Sequence, residues 1–241
     1  MNEHSRGIVL QHIRYGDTSL IVKILTENHG MVSFLVKGAY GKHSRFKPAF
    51  FQPLTLLEFV SNMKPGRELQ FMTEVGVEIP FHSLHNEMQK NSIVIFISEL
   101  LSKTSLENNP NSLLFGFVHQ SIQWLDLQDR RFADFHLHFM VELSRHLGFY
   151  PKSDHYAPGD VFDLMDGLFK PMHPSVFHAI PSGLSTQFHE LCQTPLDALW
   201  KLHLSREQRR SLLDHMIVYY RLHLPGFKGL QSHEVLSVVL G

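Results

Sequence analysis

Apolar residues in the first 80 positions fall in short runs with partial alternation, each bounded by turn residues. "GIVLQHIRY" is rich in β-branched and aromatic residues and predicts a strand. Gly16-Asp17 marks a turn, "TSLIVKILT" a second strand, Asn28-His29-Gly30 another turn, and "MVSFLV" a third strand. "LTLLEFV" and "ELQFMTEVGVEI" follow, separated by a turn containing Lys64-Pro65-Gly66-Arg67. Five strands, with tight turns early and one long loop between the third and fourth, suit a small closed barrel of the OB type. An SH3-like barrel is the structural alternative.

From residue 81 the period changes. "NEMQKNSIVIFISELLSKT" places Ile93, Phe96, Ile97, Leu100 and Leu101 at helical spacing. "SLLFGFVHQSIQWLDL" and "FADFHLHFMVELSRHLGF" predict two more helices, the second stopped by Gly148 with Pro151 beyond. Residues 150–175, rich in Pro, Gly and Asp, read as a long connection with a short hairpin at "VFDLMDGLF". Helix resumes at "TPLDALWKLH", with Thr194 as N-cap and Pro195 in first position. "SREQRRSLLDHMIVYYRLHL" opens with the capping box Ser205-x-x-Gln208, and "SHEVLSVVL" closes the chain. The expected class is α+β: a five-stranded OB-fold barrel over 1–80, then an all-helical domain over 81–241 with an irregular insertion near 150–175.

Composition narrows the setting. No apolar run approaches the ~20 residues that span a bilayer. "MNEHSRGIVL" lacks the features of a signal peptide. The single cysteine, Cys192, fits a reducing compartment, so a cytoplasmic location is expected. A net charge of −1 hides an asymmetry. Residues 1–67 carry nine Lys/Arg against four acids, whereas the remainder carries thirteen against nineteen. A basic end on a neutral chain points to a localised anionic partner.

Catalytic and metal signatures are missing. The eighteen histidines include no His-Glu-x-x-His, and His136 and His138 are spaced to point apart on a helix. His82 and His85 could share a face but lack a third ligand nearby, and the histidines read as surface or partly buried polar residues. One cysteine forbids a Cys-x-x-Cys knuckle. There is neither a Gly-x-Ser-x-Gly elbow nor a phosphate-binding loop. Cys192 reads as a small core residue, and Asp160, Asp163 and Asp166 as turn residues, without the pattern of an EF-hand. No catalytic residue, cofactor or metal is expected.

The loop "VKGAYGKHSRFKPAF" carries the functional reading. Lys37, Lys42, Arg45 and Lys47 face no acid within it and can neutralise phosphates. Tyr40 and Phe46 offer rings for base stacking, while Phe50 is expected to pack on the barrel. Ser44 can bond a phosphate oxygen. With Arg14, Lys23, Lys64 and Arg67, these residues form the candidate DNA-binding set.

The segment "GIVLQHIRYGDTSLIVKILTENHGMVSFLVKGAYGKHSRFKPAFFQPLTLLEF" resembles the N-terminus of the RecO family of bacterial DNA repair proteins. "ELSRHLGFYP" and "YYRLHLPGFKGLQSHEVL" resemble later parts of that family, so the resemblance spans nearly the whole chain. It implies a non-enzymatic recombination mediator on an OB domain and a helical domain. Such a protein binds single- and double-stranded DNA, anneals complementary strands, partners RecR, contacts the C-terminal tail of single-strand-binding protein and helps load RecA. Many members carry a four-cysteine zinc site after the Gly-Phe-x-Pro turn. Here "GFYPKSDHYAPGDVFDLMDGLF" has no cysteine, so Tyr156, Val161, Phe162, Leu164, Leu168 and Phe169 are expected to hold that connection by packing. For the acidic tail, two arginine clusters stand beside apolar helix runs: Arg130 with Arg131, and Arg206, Arg209, Arg210 with Arg221. A protein-interaction adaptor with a basic barrel, or an enzyme with an unrecognised site, remain the readings from other classes.

Overall fold

A computed structural model describes residues 3–41, 46–104, 110–174 and 176–240. The chain divides into a first compact unit ending at Leu127 and a second beginning at Gln128.

The first unit is built on a six-stranded sheet. Its strands are β1 (Glu3–Tyr15), β2 (Ser19–Thr26), β3 (Gly30–Val36), β4 (Leu56–Ser61), β5 (Leu69–Gln70) and β6 (Met72–Val77). The order is β5-β3-β2-β1-β4-β6. Five strands were expected; the sixth arises because the fifth predicted run splits at Phe71. Its first half pairs in parallel with β3, and its second half pairs antiparallel with β4. Only Phe71 separates the halves, so the chain itself links the two edges of the curled sheet.

β1 is long enough to serve two partners. Gly7 and Ile8 pair with both β2 and β4; beyond a bulge between Val9 and Gln11 only β2 accompanies it. A bulge bends a strand and sharpens its twist, which a small closing sheet requires. Alternation fills the interior with Val9, Leu20, Val22, Ile24, Val32, Phe34, Val36, Phe51, Leu57, Phe59 and Met72. Phe34 and Phe59 meet edge to face, with centroids 5.2 Å apart. Gly7 sits where strands crowd: a Cβ there would lie 2.5 Å from Ile24 Cγ2 and 2.9 Å from Phe59 Cε1.

Two helices, α1 (Met88–Lys103) and α2 (Ser112–Leu127), belong to this unit. The Ser98 hydroxyl donates to the Leu10 carbonyl at the bulge, and so ties α1 to β1. The Asp126 carboxylate, at the end of α2, accepts from the backbone N–H groups of His82, Ser83 and Leu84 at 2.8–3.0 Å. Lys90 is fully buried and donates to Ser83 Oγ and to the Asp126 carbonyl. Buried cations stand only where such donors are satisfied. Elsewhere on β1, Arg6 forms a two-pronged pair with Glu27, at 2.5 and 2.9 Å. Its guanidinium also reaches Glu78 at 3.4 Å and lies over Phe115.

The second unit contains α3 (Phe135–His146), a small sheet of β7 (Val161–Asp163), β8 (Leu168–Lys170) and β9 (Ala179–Ile180), then α4 (Ser182–Gln193), α5 (Arg206–His223) and α6 (Ser232–Leu240). The hairpin expected in "VFDLMDGLF" is β7–β8. Phe162, Phe169, Val161 and Leu164 are buried, and Phe162 packs on Phe188 (4.7 Å) and Tyr219 (5.5 Å). Asp163 accepts from the N–H groups of Met165 and Asp166 and pairs with Lys170 at 2.6 Å.

Two readings of this region need correction. His136 and His138 are buried rather than surface or partly buried. The run after Thr194 is a 3-10 helix, Leu196–Lys201, capped by Pro195, whereas Thr194 closes α4. The Ser205–Gln208 capping box forms in both directions, as the sequence predicts.

Candidate nucleic-acid interface

The register gathers part of the predicted set at one end of the barrel. Arg14 pairs with Leu20, which pairs with Val36, so Arg14 and Lys37 leave the sheet at the same level. The Arg14 guanidinium lies 5.2 Å from the centre of the Tyr40 ring and donates to the Asp17 carbonyl. Tyr40 itself is 46% exposed, and its N–H donates to the Thr18 carbonyl.

The second ring at this end was not singled out in the sequence. Phe71, the residue that joins β5 to β6, has Lys37 Nζ 5.2 Å and the Arg67 guanidinium 5.1 Å from its centroid. Cations so placed gain from the ring quadrupole. Arg67 is presented by a turn that the Gln70 side chain clasps. Gln70 accepts from Lys64 N–H and donates to the carbonyls of Lys64 and Arg67, all within 2.9 Å. Gly66 at φ +75° makes that turn possible. A groove of about 780 Å³ runs from it along β3, with Lys64 and Arg67 but also Glu3 and Glu68 in its lining. Phe71 lies within a run that reads in sequence as one continuous strand; only the pairing of β5 with β3 reveals what it faces.

Other members of the set lie differently. Lys23 is half-buried on the outer face of β2, and its ammonium donates to the Ser102 carbonyl near the end of α1. Burial lowers its pKa. Phe46 packs against the barrel core, as does Phe50. Lys47 and Lys64 are exposed. Lys42, Ser44 and Arg45 lie outside the described residues.

Of the arginines proposed for a partner tail, Arg209 is committed to the fold. It donates to Asp134 at 2.7 Å and to the carbonyls of Leu240 and Leu204. Burial raises the Asp134 pKa, and the Arg209 pair opposes that rise. The cavity that Arg209 and Arg210 line with Leu213, Leu236 and Leu240 measures about 10 Å³. Arg206, Arg210, Arg221, Arg130 and Arg131 are exposed.

Among the described residues of the barrel end, nothing resembles a catalytic constellation. Cys192 is buried, and burial raises its thiol pKa far above the ordinary value, which holds it in the unreactive form. Among the described residues no group of three or more His, Cys, Asp or Glu is placed to hold a metal ion. The 148–169 segment offers no thiolate, so its residues do not fit a four-cysteine zinc site. No helix among the described residues is long and apolar enough to cross a membrane.

Antiparallel strands curled on themselves, a parallel closing pair and helices beyond define an OB-like barrel protein of the α+β class. Family models agree: "Recombination protein O N terminal" matches residues 1–81 and "Recombination protein O C terminal" residues 85–159. Relatives called DNA repair protein RecO include one from Azobacteroides pseudotrichonymphae, 35% identical with 98% of each chain covered. Others come from Phocaeicola vulgatus, 36% identical over 98% of each chain, and Flavobacterium psychrophilum, 38% identical over 99% of each. The chain belongs to the RecO family of DNA repair and recombination proteins.

Proposed function

We infer that the chain acts as a non-enzymatic mediator. It binds single- and double-stranded DNA at the barrel end, anneals complementary strands and, with RecR, helps load RecA on DNA coated by single-strand-binding protein. The observation that carries the DNA reading is the placing of cations over two rings: Arg14 on Tyr40, and Lys37 with Arg67 on Phe71. Stacking on aromatic faces accepts any base, and the flanking cations meet phosphates. Such binding suits a protein that must act on any sequence. The exposed arginines Arg206, Arg210 and Arg221, with Arg130, are the remaining candidates for the acidic tail of single-strand-binding protein. Contacts with RecR and RecA rest on family membership alone.

Annealing of short complementary oligonucleotides without nucleotide tests the activity. Acceleration by the wild-type chain that is lost in Lys37→Ala/Arg67→Ala/Phe71→Ala supports it. No acceleration, with DNA affinity unmoved by the triple variant, would favour the adaptor reading.

A further inference from the structure

Trp200 is half exposed at the end of the 3-10 helix in the second unit. Two cations lie over its ring: the Arg131 guanidinium at 5.8 Å and Lys201 Nζ at 5.6 Å. Lys201 is its chain neighbour, but Arg131 comes from a loop sixty-nine positions earlier, so the fold makes that contact. Arg131 holds φ +62°, one of two non-glycine residues with positive φ among the described residues. Its side chain gains little stability from a half-exposed ring at 5.8 Å, so a sterically disfavoured backbone presents a cation at the surface.

We propose that Trp200, Arg131 and Lys201 form a second contact for single-stranded nucleic acid, on the helical unit. A base stacks on the exposed part of the indole and the two cations meet the adjoining phosphates. An acidic peptide that ends in an apolar residue needs a pocket for that residue, whereas the Trp200 ring is half exposed to solvent. Asp197 and Asp129 are the acids nearest in sequence, and both are exposed. One contact on each unit would let a single chain hold two strands, as annealing demands. The proposal rests on the DNA-binding reading but not on the barrel end being the site.

Trp124 is the other tryptophan. In the full-length Trp124→Phe chain, Trp200 emission is followed while a dye-labelled oligothymidylate is added, and dye anisotropy reports total binding. We expect saturable quenching that persists in Lys37→Ala/Arg67→Ala. In that barrel background, Trp200→Ala should weaken oligonucleotide binding by roughly 5- to 150-fold, the range for one lost stack. Wild-type emission minus that of Trp200→Phe gives the same readout if Trp124→Phe folds poorly. A rise in anisotropy with Trp200 silent overturns this site and leaves the barrel reading standing. Quenching by an acidic, apolar-ended peptide but not by oligothymidylate also overturns it, in favour of a protein partner. Flat anisotropy defeats both readings.

Discussion

Separating charge from stacking at the barrel end is the sharpest test of the site. Lys37 and Arg67 lie 5.2 and 5.1 Å from the Phe71 centroid, so all three act within one patch. If each cation neutralises one phosphate, Lys37→Ala/Arg67→Ala lowers the slope of log affinity against log salt by about 1.4 on single strands. Between 50 and 200 mM salt that amounts to a roughly 7-fold smaller fall in affinity than the wild type shows. Phe71→Ala removes a stack but no charge. Its affinity should drop by roughly 1–3 kcal/mol at every salt concentration, with the slope unchanged. Oligothymidylate anisotropy from 50 to 300 mM salt measures both, and circular dichroism checks that the barrel survives. An unchanged slope in the double variant would show that these cations do not meet phosphates. A Phe71→Ala chain that loses slope but little affinity would mean the ring only spaces the cations.

Other expectations concern the fold. Gly7→Ala should destabilise the barrel by about 1–3 kcal/mol, since the new methyl meets Ile24 and Phe59; an unchanged urea midpoint would contradict the crowding. Arg209→Ala strands the buried Asp134 carboxylate and should cost about 3 kcal/mol in thermal unfolding, with a loss under 1 kcal/mol counting against its structural role. His136, neutral and buried, has its pKa pushed down to about 3, chiefly by burial and then by Arg209. The unfolded chain therefore binds the extra proton first, and stability present above about pH 6.5 is lost as pH falls toward 3. At pH 5 the loss should be about 2 kcal/mol. His136→Gln should flatten that part of the urea-midpoint profile, and equal slopes in the two proteins would refute the assignment.

Strand runs and most helices were legible because one physical cause, burial on one face, wrote them in short-range periodicity. α2 and α6 begin and end where their apolar runs do. The split at Phe71 was not legible, because a strand that changes partners looks continuous in sequence. α4 carries serines, glycine and threonine in "SGLSTQFHELCQ", which weakens its helical pattern even though Phe188 and Leu191 are buried. The family-model boundary near 81–85 follows the change of residue pattern. The compact unit instead runs to Leu127, because Asp126 and Lys90 fasten both helices to the 82–84 segment. At the candidate site, charge counting found Arg14, Lys37 and Arg67 but gave Lys23 and Arg209 equal standing. Only distances show that those two already serve carbonyls and a carboxylate.

Phe71 also occupies a mechanical position. The parallel seam between β3 and β5 is two residues long, and Phe71 hangs directly from it. A strand of DNA gripping that ring would be holding the barrel shut. Occupancy and closure then become one equilibrium: amides of Leu69 and Gln70 should exchange with solvent more slowly as ligand saturates, by the factor 1 + [L]/Kd while opening still exposes the site. Read the other way, a partner protein that pried the seam apart could release DNA without ever touching a phosphate.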